Sequence, residues 1–210
     1  MSRRALLAIA LCSSLAEAAS LEVRVRDAAG APVADAAVFA IPSTGPADAR
    51  SARTVTIEQR DRDFIPFLTV LQTGTPVSFP NRDPILHHVY SFSPAKSFEI
   101  KLYTGMPPGE VVFDKPGVVR IGCNIHDWMV AYVVAVQTPY FGRTDSQGMV
   151  RLRDLPAGTY QVRGYHPLQR GEPETYNAVL DAQANQGASL VIDTSPRKQR
   201  FKPPLDRARY

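Results

Sequence analysis

No long segment of this chain holds a helical period, and its 18 prolines and 13 glycines fall between short runs instead of gathering in one tract. Such punctuation favours short strands joined by turns, because Pro removes a ladder donor while Gly supplies the backbone freedom that turns need. Leu21 to Asp27 (LEVRVRD) alternates apolar and polar residues, Ala28 to Val33 turns, and Ala37 to Ile41 resumes as a strand, which predicts a hairpin. A second block of strand-like runs follows, with Thr54 to Ile57, Thr75 to Phe79, His88 to Phe92, Val118 to Ile121 and Ala131 to Val136. The expected fold class is all-β, with a sandwich as the architecture. Neither an internal repeat nor a low-complexity tract interrupts the pattern.

The ends of the chain bound its compartment. Arg3-Arg4 precede the apolar stretch Ala5 to Leu11, and Ala16-Glu17-Ala18 supplies the small residues that a signal peptidase reads. Residues 1–18 are therefore expected to be a signal peptide and the protein to be periplasmic after its cleavage. The stretch is too short to span a bilayer, and no other run approaches the roughly 20 apolar residues that spanning requires, so no transmembrane segment is expected. Leu11 is too large for the residue before a lipid-modified cysteine, which disfavours Cys12 as an anchor. Loss of residues 1–18 leaves Cys123 as a lone thiol in a compartment where disulfides are usual. Net charge is +4 for the whole chain and +3 without the signal, and the last fifteen residues (PRKQRFKPPLDRARY) carry +5 of it, leaving the body at about −2. A body of that charge is not expected to bind nucleic acid. The basic tail reads first as a solubilising end, and second as a device that steers an acidic partner.

The chemistry concentrates in Cys123-Asn124-Ile125-His126-Asp127-Trp128-Met129, with His87-His88 upstream in a strand-like run. One thiolate, two imidazoles and one distant thioether are the donors of a trigonal copper site with a weak axial Met. A lone Cys or Met in a strand-rich chain is more often packing than a ligand, but the two-residue gaps let Cys123, His126 and Met129 wrap one ion from a tight connection between strands. Side chains alternate along a strand, so only one of His87 and His88 can reach that ion, and the other is expected to be solvated. Trp128 and Ile125 are expected to pack around the site, Met106 to form an apolar lip near it, and His166 to lie at the surface or a sheet edge. Zinc suits the same ligands. A dinuclear copper centre would need a second cysteine in the loop, and a nucleophilic Cys123 would need a third group placed to orient His126.

With these residues in place, the segment 54–137 resembles a cupredoxin of the amicyanin and plastocyanin kind. The likeness is carried by Phe64-Ile65-Pro66, Val70, Gly74 to Phe79, Asn81-Arg82-Asp83, His87-His88-Val89 and the CNIHDWM loop. The resemblance implies a Greek-key sandwich holding one mononuclear blue-copper ion on His87, Cys123, His126 and Met129, with Asn81 steadying the thiolate. It selects His87 over His88 because the family places Asn six residues before the ligand, where Asn81 stands. It also implies that His126 reaches the surface through an apolar patch, with Met106, Pro107 and Pro108 as neighbours, and that electrons leave there.

Thr144 to Leu152 (TDSQGMVRL) and Leu155 to Val162 (LPAGTYQV) resemble a carboxypeptidase regulatory-like domain of the transthyretin-like sandwich type, whose opening matches Leu21 to Ile41. The implied organisation is a cupredoxin domain (54–137) after a linker (43–53), inserted into a smaller discontinuous sandwich made of 21–42 and 140–194, with a basic tail at 195–210. The expected function is an exported electron carrier with a redox partner protein, and not an enzyme. A copper-binding or copper-delivery module without an electron-transfer role is the alternative.

Overall fold

The computed structural model describes residues 19–45, 53–171, 175–181 and 185–196. Seventeen strands and no helix are found among those residues, so the protein is all-β. The expected signal peptide, most of the expected linker and nearly all of the basic tail lie outside the described residues.

Strands from the two flanks of the chain pair with one another. Ala19–Arg26 runs antiparallel to Met149–Leu155 and parallel to Asn185–Val191. A second sheet orders Phe141–Arg143, Ala37–Pro42, Gly158–Tyr165 and Thr175–Leu180. The alternation of the first strand explains how the sheets meet, since Leu21, Val23 and Val25 are fully buried while Glu22, Arg24 and Arg26 are exposed. The buried set joins Val38, Ala40, Val162 and Leu180 of the other sheet in one apolar core. Each fully buried Val or Leu of this set contributes roughly 1.5–3 kcal/mol on burial.

The hairpin expected between Leu21 and Ile41 does not form. Its two strands belong to opposite sheets. The turn itself closes, with Val33 N–H donating to Val25 O at 3.0 Å and Asp27 N–H to Ala31 O at 2.9 Å. Thr144 then redirects the chain, because its hydroxyl accepts from the Ala36 amide and donates to the Val33 carbonyl, each at 2.8 Å. Alternation shows that both strands bury a face but does not show that they bury it from opposite sides.

The turns at Asp27 and Asp145 share one design. Asp27 Oδ1 accepts the Ala29 and Ala31 amides, and Asp145 Oδ1 accepts those of Gln147 and Met149. Each turn ends on a glycine with positive φ, Gly30 at 85° and Gly148 at 70°. His166, expected at the surface or a sheet edge, is buried just beyond the end of Gly158–Tyr165, because its turn folds the ring inward to accept the Leu168 amide at Nδ1. Burial lowers its pKa, against a smaller opposing pull from Asp35.

The intervening residues supply two further sheets and a small hairpin. Leu68–Gln72, Val130–Val136, Gly117–Gly122, His87–Ser93 and Lys96–Tyr103 lie in that order in a five-stranded sheet. Val111–Phe113, Thr75–Ser78 and Val55–Thr56 form a three-stranded one, and Glu58–Arg60 pairs with Asp63–Ile65. Phe79, Phe113, Val89, Ile121 and Val133 fill a second core, which also contains Cys123 and Met129. A third cluster joins the two halves of the molecule, setting Ala37 of the flanking sandwich against Leu68, Val134 and Val136.

Candidate metal centre

The loop between Gly117–Gly122 and Val130–Val136 is a compact turn closing an antiparallel pair. Met129 N–H donates to His126 O at 2.9 Å, and Cys123 N–H donates to Met129 O at 3.3 Å. This closure folds His126 back toward Cys123, bringing Nδ1 to 3.6 Å from Sγ. His87 opens the strand on the other side of Gly117–Gly122, which it meets at the Tyr90–Gly122 pair. Its Nδ1 lies 3.1 Å from His126 Nδ1. One donor atom from each of His87, Cys123 and His126 lies within 4.8 Å of the others, and the three residues are 0%, 2% and 0% exposed. Met129 is fully buried in the same apolar cluster as Cys123.

The surroundings bias these groups toward ligation. Burial, with smaller contributions from His87 and the Arg62 guanidinium, lowers the His126 pKa to about 4, against a smaller opposing effect of Asp83. The ring is therefore neutral near pH 7, as a metal ligand must be. Tyr103, opposite His87 in the ladder, donates its hydroxyl hydrogen to the Phe79 carbonyl and accepts from Gln59 Nε2 at 2.6 Å. Burial pushes its pKa up to about 12, the Gln59 bond opposes this, and Cys123 adds to it. His87 Nε2 is 2.7 Å from Asp83 Oδ2. Burial raises the Asp83 pKa, but bonds from His87 and the Arg62 and Asp61 amides outweigh it and leave the carboxyl below its ordinary value.

Several expected roles change. Asn81 Nδ2 donates to the carbonyls of Ile85 and Tyr103, both at 2.8 Å, and its Oδ1 accepts the Asp83 amide, so its side chain braces the loop that delivers His87. His88 does point away from the cluster, but it is not solvated: the residue is 8% exposed, with Nε2 at 2.8 Å from Glu99 and the Tyr90 ring beside it. Ile125 is 38% exposed, whereas Trp128 packs on His126 with ring centroids 5.2 Å apart. His126 does not reach the surface, because Trp128 lies against it and the Arg62 guanidinium sits 5.9 Å from the indole centroid. Met106 is 66% exposed.

Asp83 is the functional residue that sequence reasoning left without a role. Its signal in the sequence is a carboxylate four residues before His87, in the Asn81-Arg82-Asp83 stretch that carries part of the family likeness.

No family model matches the chain, and no curated protein does. Among solved structures it is similar to a Cu-containing nitrite reductase from Thermus scotoductus SA-01, at 21% identity and TM-score 0.38, over 46% of this chain and 25% of that one. It is also similar to a purple cupredoxin from Nitrosopumilus maritimus, at 22% identity and TM-score 0.32, over 39% of this chain and 99% of the other. Amicyanin from Paracoccus versutus gives 13% identity and TM-score 0.35, over 47% of this chain and 98% of the other. The chain thus spans about a quarter of the nitrite reductase.

Proposed function

We propose that the protein is an exported, non-enzymatic electron carrier in which His87, Cys123, His126 and Met129 would hold one copper ion. The convergence of one thiol and two imidazole nitrogens in a fully buried cluster carries this reading. That donor set fits copper, which would supply a single-electron couple. The chain's own contribution is rigidity and exclusion of water. Cys123 and His126 come from one hydrogen-bonded turn and His87 from the strand adjacent to Gly117–Gly122 in the sheet, so the donors are held by ladders on both sides. A cluster with both rings wholly buried admits an electron but not a substrate, which favours a carrier over an enzyme. The same burial disfavours copper delivery, since a transfer site needs ligands that a recipient can touch. On the His126 side, a route to the surface passes Trp128 and Arg62. Among the described residues no helix is long and apolar enough to cross a membrane.

Loading the protein with Cu(II) should give one copper per chain and an intense visible band. His87→Ala should lose both, while His88→Ala should keep them, because the His88 ring is committed to Glu99 on the other face. A colourless wild type that binds zinc instead would reject the copper reading, and loss of copper only in His88→Ala would move the ligand by one residue.

For organisation, we propose that 54–137 is a cupredoxin-like domain inserted into a discontinuous sandwich of 21–42 and 140–194. The separate cores support this, as does the cavity lined together by Val55, at the start of the block, and Phe141, in the flanking strand just after its end. A fragment of residues 54–137 is then expected to fold and bind copper, with a lower unfolding midpoint than the whole chain because Leu68, Val134 and Val136 lose their cover. A fragment that stays unfolded even with copper would reject the division.

A further inference from the structure

The supports of both histidines converge on Asp83. Oδ2 accepts from His87 Nε2 at 2.7 Å and from the Arg62 amide at 2.9 Å, and Oδ1 accepts the Asp61 amide at 2.7 Å. Asp61 and Arg62 both have positive φ, 53° and 56°, a conformation that residues other than Gly keep only where their surroundings fix it. The turn they form presents the Arg62 carbonyl to Trp128 Nε1 at 3.2 Å and sets the guanidinium over the indole. That indole in turn lies against the His126 ring. One carboxylate therefore touches His87 directly and reaches His126 through the Asp61–Arg62 turn and Trp128.

We propose that Asp83 is the positioning residue of the metal centre. It holds the Nε2 proton of His87, which leaves Nδ1 to face Cys123 and His126, and it anchors the turn that keeps Trp128 seated over His126. A carboxylate behind a ligating imidazole fixes the tautomer and raises the basicity of the ring, and its negative charge favours the more highly charged state of a bound ion. This inference rests on the copper reading and adds to it a residue that sets both affinity and potential.

The test uses the mature chain with Asp83→Asn and Asp83→Ala. Asn can keep the bond to His87 while removing the charge, so copper and its visible band should remain and the reduction potential should rise. Ala removes every bond, and copper affinity should fall by about 10–100-fold. Wild-type potential in Asp83→Asn, together with wild-type affinity in Asp83→Ala, would overturn the inference and leave the copper reading standing. Nitrogen NMR of the metal-free protein decides independently of copper. His87 should carry a proton on Nε2 that is hydrogen-bonded in the wild type and loses that signature in Asp83→Ala, whereas a bare Nε2 in the wild type would overturn the assignment. A wild type without a copper band would reject the copper reading alone, and the NMR result would still decide the role of Asp83.

Discussion

Copper-loaded Cys123→Ser is expected to be colourless where the wild type is intensely coloured. The visible band of such a site arises from charge transfer between a thiolate and Cu(II), and a serine oxygen does not supply it. Ser is close in size to Cys, so the 2% exposed position should accept it with only the cost of burying a hydroxyl, about 1–3 kcal/mol if it finds no partner. Loss of colour in a protein that still unfolds cooperatively would locate the effect at the sulfur. Retention of the band by the serine variant would show that Cys123 is not the ligand. Met129→Leu is the graded companion. The side chain is wholly buried and the exchange nearly conserves volume, so the fold should persist, copper should stay, and the potential should rise as the thioether is lost. Loss of all copper in that variant would show that the thioether holds the metal and does not merely tune it.

Gly148→Ala should cost at least about 3 kcal/mol, at the upper end of what single substitutions usually cost. A side chain at its φ of 70° costs roughly 1–2 kcal/mol. The added Cβ would also meet the Val25 carbonyl oxygen far inside van der Waals contact, with Val33 N at 3.0 Å. The turn cannot easily retreat, because Val25 N–H donates to Gly148 O at 2.7 Å and Gly148 N–H to Asp145 O at 3.0 Å. Gly30→Ala in the twin turn isolates the two contributions, since its φ is 85° but a Cβ there meets nothing within 4 Å. Denaturant unfolding should show a shift of about 1–2 kcal/mol for Gly30→Ala and a much larger one for Gly148→Ala. Equal losses would mean that the contact with Val25 relaxes without cost.

Local pattern and spacing carried much of this into view. Alternation in LEVRVRD marked a half-buried strand, and the gaps between Cys123, His126 and Met129 marked a turn able to gather donors. What remained hidden depends on partners distant in sequence. His88 reads as exposed until Glu99 arrives from Lys96–Tyr103 to cover it. Ala37–Pro42 reads as the second arm of a hairpin until Thr144 turns the chain into the other sheet. Asp83 has no role of its own in the sequence because the partners of its carboxylate, His87, Asp61 and Arg62, come from both sides of it along the chain. The depth of His126 was hidden for another reason. Trp128 is only two residues away, but whether an indole lies over its neighbour or beside it depends on the Arg62 carbonyl that it must reach.

The placement of Ala19–Arg26 also sets an order of events as the chain emerges where it folds. Its ladder partners lie at 149–155 and 185–191, so the earliest described strand to emerge is among the last to be paired. The donors at 87, 123 and 126 are all present well before residue 185 follows. Non-local pairing of this kind is slow and leaves an unpaired edge in the meantime. The strand's exposed Glu22, Arg24 and Arg26 give that waiting edge charged residues that discourage pairing with other chains.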